Sequence, residues 1–589
     1  MVILANKSMK KEKLETLRHS LSHVMAYAVQ ELFGQVQFGI GPVISNGFYY
    51  DFDLAEPNLS AADLPKIEKK MKELIKRNLP FKKKTATKAE AKRIFKNQPY
   101  KLELIEDLPA KNVTLYETGG FLDLCKGPHL KSTKEIPLDS FKLIRVAGAY
   151  WRGTEKNPML TRIYGVAFAT KKELDNYLKK ETEAEKRDHR FLGQRLDLFH
   201  FDEKVGPGLV LWHPKGAILK KIIMDYALNQ SLEAGYLLVD TPHIAKLGLW
   251  KTSGHLDFYK ENMMPSMHLR EIDKEEKDDY QIKPMNCPFH IAIYNTAIRS
   301  YKELPKRYTE MGTVYRYERS GTLHGLVRVR GFTQDDAHII CTPDQLAEEL
   351  FSTIKLSQKI LKAFGFKNLH VYLSTQPKKY VGDDKIWKKA ENSLKYALGK
   401  LRMKYEVDKG GGAFYGPKID IKIEDAIERE WQCTTIQVDF NLPERFNMTF
   451  IDQKGRKQRP IIIHRALLGA LERFIGILLE YYSGNLPLWL SPLQVWLIPV
   501  GSKHKKYANL VAKDLRKEGL RVEVKDENET VSKKIREGEI QKIPYLLVVG
   551  DKELKTKSVR VRERQKGDTG PEKLDRFLKK AKKIIETKK

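Results

Sequence analysis

The stretch Gly312–Cys341, GTVYRYERSGTLHGLVRVRGFTQDDAHIIC, carries more chemistry than any other part of this 589-residue chain. It reads as two strands joined by a turn. Arg316 and Glu318 stand two residues apart on the first, Arg328 and Arg330 follow, and the second run holds Phe332, Gln334, Asp336 and His338. Residues two apart on a strand point to the same face. One face is therefore expected to carry Arg316 and Glu318, and another Phe332, Gln334, Asp336 and His338. An amphipathic surface hairpin would show the same alternation. A solvated face, however, has no need of guanidinium, amide, carboxylate and imidazole groups in one row. The pattern predicts a floor for a polyphosphate or another polar ligand.

The length predicts three or four domains with several cores. With 41% hydrophobic and 31% charged residues, the composition is that of a soluble globular protein. A formal net charge of +30 points to a polyanionic partner, nucleic acid first. A generally lysine-rich background would raise the charge without any partner. Cys125, Cys287, Cys341 and Cys433 are too few and too scattered for a disulfide framework, so a reducing cytoplasm is expected. The first residues show no cleavable signal pattern. The apolar region at about 460–500 is interrupted by His464, Arg465, Glu472, Arg473 and Pro487, so no membrane span is predicted.

Three regions follow outward from the opening stretch. Residues 14–33 have helical periodicity, and short strands with Gly/Pro turns run from there to about 170. The charged segment 171–198 reads as one long linking helix. The second region, 199–490, opens at Gly206-Pro207-Gly208. It continues with a helix, a strand YLLVDTP, the charged insert EIDKEEKDD at 271–279 and alternating strands such as Ile419–Ile423. It ends in a strand RPIIIH and a helix RALLGALERFIGILLEYY. The third, 491–589, alternates strand and helix, as expected of a small α/β domain with a largely parallel sheet, and closes with the helix PEKLDRFLKKAKKIIETKK.

No phosphate-binding G-x-x-x-x-G-K-[ST] loop is present, and in Gly410-Gly411-Gly412 the third glycine of a dinucleotide fingerprint is replaced by Tyr415. A bound nucleotide must be held by arginines and aromatic rings instead. Cys287, His338 and His464 are possible metal ligands, but gaps of 51 and 126 residues match no zinc-finger spacing. Near the start, His19 and His23 form an i, i+4 pair, and Cys125 and His129 recur in DLCKGPH. These four read equally as a ligand or catalytic quartet and as histidines partly buried on an apolar helix.

The second region resembles the catalytic domain of class II aminoacyl-tRNA synthetases. The helix and strand ending at Pro242 resemble the dimer-forming first motif of that class. Arg316-Tyr317-Glu318 with Arg328 and Phe332 resembles the ATP-binding second motif, and Gly469-Ala470-Leu471-Glu472-Arg473 the third. Through MNCPFH, RVRGFTQDDAHIIC, FYGPKIDI, EWQCTTIQVDF and HRALLGALERF the chain is similar to the threonine-specific family of class IIa, over nearly its whole length.

The resemblance implies a class II antiparallel-sheet catalytic core at 199–490 and an N-terminal α+β editing domain at 1–170. A linker helix at 171–198 and a C-terminal α/β anticodon-binding domain at 491–589 complete the order. It implies ATP-dependent ligation of L-threonine to tRNA through threonyl-adenylate, with ATP used as its Mg²⁺ complex. Cys287, His338 and His464 would hold one zinc ion that binds threonine through its amino group and hydroxyl. Valine and threonine are near-isosteres that a hydrophobic pocket separates poorly, which is the problem such an ion solves. Met285, Gln334, Asp336, Tyr415 and Gln437 would line the threonine pocket. Arg316 and Arg473 would clamp the ATP phosphates, with Glu318, Arg328, Phe332 and Gln432 around the nucleotide.

Serine keeps the hydroxyl and lacks only a methyl, a difference of about 1–3 kcal/mol, so a hydrolytic second sieve is implied. His19, His23, Cys125 and His129 match the family's editing site, with Asp123 and Lys101 as lesser candidates; no metal is expected there. Asn528, Arg536, Glu553 and Arg562 stand at positions linked with anticodon contact. A homodimer is implied by the first motif alone. The chain departs from the family in Ala470, Thr434 and Lys542, where serine, glycine and arginine are usual. The small ubiquitin-like module that precedes the editing domain in bacterial members is expected to be missing. Two rivals remain: another class IIa synthetase, for example for proline, and a non-catalytic paralogue binding tRNA-like RNA.

Overall fold

Strand-forming and helix-forming patterns alternate along the chain, and each is satisfied locally. The computed structural model describes residues 2–54, 59–269, 278–413 and 415–588, which divide into two compact units, residues 1–182 and 183–589. The charged insert expected as an exposed turn falls mostly at 271–277, outside the described residues; only its last two residues, Asp278 and Asp279, are described, opening the strand Asp278–Ile282. Among the described residues no helix is long and apolar enough to cross a membrane.

In the first unit a long helix, α1 (Val2–Phe33), buries Leu17, Leu21, Val24, Met25 and Ala28 on one stripe. It lies against a five-stranded antiparallel sheet whose main path runs Val36–Phe38, Gly47–Leu54, Met159–Ala167 and Phe141–Tyr150. A smaller sheet joins Phe81–Thr87, Asn112–Thr118 and Phe121–Leu124. The expected single linking helix is two. One spans Lys171–Arg187; the other, α2 (His189–Arg195), starts anew because Asp188 is extended (φ −50, ψ 121) and caps it by accepting from the Arg190 N–H.

The second unit is built on an eight-stranded sheet. In chain order its strands are β1 (Leu237–Leu238), β2 (Lys306–Tyr315), β3 (Gly331–Cys341), β4 (Leu369–Ser374), β5 (Glu406–Asp408), β6 (Lys418–Glu424), β7 (Glu430–Asp439) and β8 (Ile461–Ala470). Their spatial order is β1-β2-β3-β8-β7-β6-β4-β5, antiparallel throughout except at the two edge pairs, which are parallel. Ala337, Ile339 and Cys341 of β3, with Ile419, Ile421 and Ile423 of β6, point into the main core, covered by α5 (Leu471–Tyr482) and the helix Leu346–Ala363. The opposite face of the central strands is left for polar side chains. Two further helices matter to it: α3 (Pro214–Glu233) and α4 (Cys287–Tyr294).

Three expectations about this unit are corrected. Strand β2 ends at Tyr315, so Arg316 and Glu318 lie in the connection after it and not on the strand. RALLGA is strand: β8 continues from the Ile461–Ile463 run through Ala470, because β-branched residues propagate an extended chain, and the helix begins only at Leu471. The strand YLLVDTP shrinks to Leu237–Leu238.

The C-terminal sheet runs Val522–Val524, Val495–Pro499, Tyr545–Val549, Ser558–Glu563, Gly567–Lys573. It was expected to be largely parallel, but only two of its four pairings are; Ser558–Glu563 and Gly567–Lys573 form a hairpin that adds antiparallel. The last helix, Leu574–Thr587, therefore starts later than its pattern suggested, with Pro571 in the preceding strand. Arg521 and Arg564 tie this part to the rest of the unit by donating to the carbonyls of Trp489, Ser491, Asn485 and Leu486.

Candidate functional site

Strand register builds the polar face of the large sheet. His338 on β3 stands directly opposite His464 on β8, and His464 stands opposite Gln437 on β7. One row along, Asp336 faces Ala466. Both histidines lie inside their strands, and Cys287 is the first residue of α4. The helix is anchored over the sheet by Asn286, whose Nδ2 donates to Asp336 Oδ2 at 2.9 Å. One donor atom from each of Cys287, His338 and His464 falls within 4.8 Å of the others.

The hydrogen bonds behind these residues decide which ring nitrogens are available. Asp439 is fully buried; its Oδ1 accepts from the Asn441 and Leu442 amides, and its Oδ2 lies 2.9 Å from His464 Nε2. A carboxylate only accepts, so Nε2 carries the proton and His464 Nδ1 keeps its lone pair. For His338 the chain of bonds is longer. Lys283 Nζ donates to Thr241 Oγ1 at 2.9 Å, so the Thr241 hydroxyl donates to Glu310 Oε1, also at 2.9 Å. His290 Nε2 gives its proton to Glu310 Oε1 at 3.1 Å. His290 Nδ1 must then accept from His338 Nδ1, 2.8 Å away, leaving the lone pair of His338 Nε2 free. Burial pushes the Cys287 thiol well above its ordinary pKa, with Asp336 and Asp439 adding to the shift. A cation at this point would reverse that cost. One sulfur and two oriented imidazole lone pairs are a donor set able to hold a metal ion.

Beside this cluster, Tyr415 Oη donates to Gln437 Oε1 at 2.9 Å, and among the described residues the buried Gln437 Nε2 and Asn286 Oδ1 have no hydrogen-bond partner. Met285, Cys287, Tyr415 and His255 line one small pocket. Sequence reading missed His255. Its Nδ1 bonds Ser253 Oγ at 2.7 Å, its Nε2 lies 3.0 Å from Met285 Sδ, and burial lowers its pKa to about 4. Asp439, His290 and Glu310 were missed too. Nothing in their spacing marks them, because they act through neighbours on other strands.

Arg316 leaves β2 at the other end of this face. Its Nε donates to Pro284 O at 3.3 Å, and its guanidinium lies 5.1 Å from the Phe332 ring centre and 5.7 Å from that of Tyr259. Arg473, on α5, donates to Val327 O at 3.1 Å. Its pKa is lowered by burial first and then by Arg316 and Arg328. Among the described residues neither Arg316 nor Arg473 has a carboxylate within ion-pair distance. Two close cations with no carboxylate paired to either suit an anionic ligand. Arg328 pairs with Glu318 at 2.9 Å, and Gln432 Nε2 donates to Asp420 Oδ1 at 2.7 Å. Gln334 sits on β3 opposite Ala470, beside a bulge. Glu472 of the third motif is structural: it accepts from Lys220 of α3 and from the Thr333 amide. Thr434 bonds Leu467 O and Ser357.

The first unit brings its quartet together. Cys125 Sγ lies 3.2 Å from His19 Nε2 and 3.3 Å from His129 Nε2. His23 Nε2 is 3.6 Å from Asp123 Oδ2, and Asp123 also accepts from Tyr50 Oη at 2.5 Å and pairs with Lys101. The four ligand-capable atoms lie within 4.8 Å. Burial lowers the pKa of His19, His23 and His129, and raises that of Cys125 to about 11. The site therefore presents neutral imidazoles. Such groups keep a lone pair that can accept a hydrogen bond from water at neutral pH.

In the C-terminal part, Asn528 is an exposed loop residue and Arg536 an exposed residue of the helix Val531–Ile540. Arg562 lies on Ser558–Glu563, 3.5 Å from Glu539. Glu553 is buried, with Oε2 accepting from the Gly550 amide at a helix start.

Three family models match the chain. They are the class II tRNA synthetase core domain (G, H, P, S and T) at 270–482, an anticodon binding domain at 494–584, and the threonyl and alanyl tRNA synthetase second additional domain at 113–164. Threonine–tRNA ligase of Sulfurihydrogenibium sp. is 54% identical over 98% of this chain and 90% of its own length. The Aquifex aeolicus enzyme of the same name is 51% identical with the same coverage. Among solved structures, the RNA binding domain of threonyl-tRNA synthetase from Cryptosporidium parvum is 42% identical with a TM-score of 0.63, covering 68% of this chain and 98% of that one.

Proposed function

We propose, because this chain belongs to the threonine–tRNA ligase family, that its polar sheet face is a threonine- and ATP-binding active site built on a zinc ion. The protein is an aminoacyl-tRNA synthetase that joins L-threonine to tRNA with consumption of ATP, used as its Mg²⁺ complex. The threonine carboxylate attacks the α-phosphorus of ATP; the bond to the bridging oxygen of pyrophosphate breaks, and threonyl-adenylate results. A terminal ribose hydroxyl of the tRNA then takes the threonyl group and AMP leaves.

Arg316 and Arg473 meet the negative charge that builds on the phosphates, a positioning and electrostatic role that needs no protein nucleophile. Glu318, Arg328, Phe332 and Gln432 surround the nucleotide. Asp336, Gln334, Met285, Tyr415 and Gln437 line the amino-acid pocket. Cys287, His338 and His464 would hold zinc, which when bound supplies a Lewis-acidic contact for the amino group and hydroxyl of threonine. The observation that carries this reading is the direct register of His338 with His464 beneath Cys287.

In the first unit, His19, His23, Cys125 and His129, with Asp123 and Lys101, form the hydrolytic site for seryl-tRNA, using imidazoles as bases and no metal. Asn528, Arg536 and Arg562 belong to the anticodon-reading surface, with the buried Glu553 holding the helix start behind it. The organisation is an editing domain at 1–170, a linker at 171–198, a catalytic domain at 199–490 and an anticodon-binding domain at 491–589. We place the enzyme in the cytoplasm as a homodimer joined through α3.

The test is ATP–pyrophosphate exchange with threonine, serine and valine, before and after zinc removal. Exchange with threonine, lost on chelation and restored by zinc, is expected. Exchange with valine as strong as with threonine, or exchange in the presence of Mg²⁺ that is untouched by removal of zinc, would overturn the metal assignment.

A further inference from the structure

His189, the first residue of α2, is fully buried yet reaches the loop that carries Arg328. Its Nδ1 lies 2.7 Å from Glu480 Oε1 on α5, and its own amide donates to the same oxygen at 3.2 Å. Since the carboxylate accepts, Nδ1 carries the proton. Nε2 presents its lone pair to the Leu326 amide at 2.9 Å. Asp188, His189 and Glu480 lie close enough to suggest a metal cluster. Both ring nitrogens are already committed, so no lone pair remains for an ion.

Around this bond the loop is shaped to fit the ring. Gly325 has φ +48, and a Cβ there would lie 2.2 Å from His189 Nε2. Gly476 on α5 leaves room for the other side of the ring, with a Cβ position 3.4 Å away. The next loop residue, Val327, is held by Arg473 at 3.1 Å. The Leu326 amide is thus fixed by His189 and the Val327 carbonyl by Arg473, and that carbonyl belongs to the peptide group joining Val327 to Arg328. At its other end α2 accepts, through Arg195 O, a 3.0 Å bond from Gln541 Nε2 of the C-terminal part.

We propose that His189 is a positioning residue for adenylate formation: it holds the Leu326 amide so that Arg328 is presented to ATP. The proposal rests on the reading of Arg328 as an ATP contact. His189→Asn keeps a donor for Glu480 and removes the acceptor for Leu326, whereas His189→Gln can place a carbonyl oxygen near the Nε2 position. In threonine-dependent ATP–pyrophosphate exchange, H189N should raise the KM for ATP about tenfold, the scale of one unmade buried hydrogen bond. The KM for threonine should stay within about twofold, and H189Q should fall between H189N and the unmodified enzyme. Amide exchange at Leu326 should accelerate in H189N. If H189N does not fold, Gly325→Ala pushes the loop off the ring from the other side, with the same expected split. Equal rises in both KM values, or no rise in either, overturn the positioning role. Arg328→Ala is the control: if it leaves the KM for ATP unchanged, the ATP reading of the loop fails first.

Discussion

Replacing Asp439 by asparagine exchanges one oxygen for an NH₂ group and tests the metal site without touching a ligand. Asp439 Oδ1 is occupied by two backbone amides, at 2.7 and 3.1 Å, so in the variant the carbonyl oxygen must stay there; the reverse orientation would set donors against donors. The new NH₂ then faces His464 Nε2, 2.9 Å away, and the imidazole can bond it only by accepting. That forces the His464 proton onto Nδ1, the nitrogen otherwise free for a metal. Loss of a carboxylate behind a histidine ligand lowers metal affinity about 10- to 100-fold. That corresponds to about 1.4–2.7 kcal/mol. Competition with a chromophoric chelator measures it directly. We expect weaker zinc binding, a higher KM for threonine, an unchanged KM for ATP, and a melting temperature close to that of the parent. Undiminished zinc affinity in a folded D439N protein would refute the tautomer argument.

Other perturbations have equally definite outcomes. Arg316→Ala should reduce threonine-dependent exchange by about 10²–10³-fold, the cost of losing one preorganised charge contact; retained exchange removes Arg316 from the phosphate clamp. Cys125→Ala or His23→Ala should abolish hydrolysis of seryl-tRNA while threonine activation continues, measured by deacylation and exchange on the same preparation; parallel loss of both would show misassignment. Because burial lowers His19, His23 and His129 below their ordinary value near 6.5, deacylation should not fall as pH drops from 8 to about 6.5. Below about pH 6.5 the unfolded chain takes up protons that the folded histidines refuse, so the first unit should lose stability as acid is added. Thermal melting between pH 7 and 5 reads this.

Much of the architecture was legible because it depends on local pattern. The alternation in Phe332–His338 held, and Ala337 and Ile339 do face the core on the opposite side. Where a pattern was ambiguous, tertiary context decided. RALLGA contains good helix formers but is strand, since β8 pairs with both β3 and β7 along it. Arg316 and Glu318 share a neighbourhood without sharing a strand, because their spacing suits an extended connection as well as a ladder. The metal cluster was invisible to spacing for a physical reason. Its members meet through register across strands 126 residues apart in the chain, and a register is not written in any single strand. Recognition of the family supplied what spacing could not. Neither route pointed to Asp439, Glu310 or His290, whose contribution is the direction of a hydrogen bond.

The direct opposition of His338 and His464 also has a kinetic meaning. A one-residue slip of β8 against β3 would carry His464 to the other face of the sheet, so no partly paired chain presents both imidazoles to one ion. Pairing partners so distant in sequence come together late, after shorter loops have closed. Tight zinc uptake during refolding should therefore lag behind secondary-structure formation and coincide with completion of the central sheet. A metal-sensitive dye would then serve as a clock for the last step of core assembly.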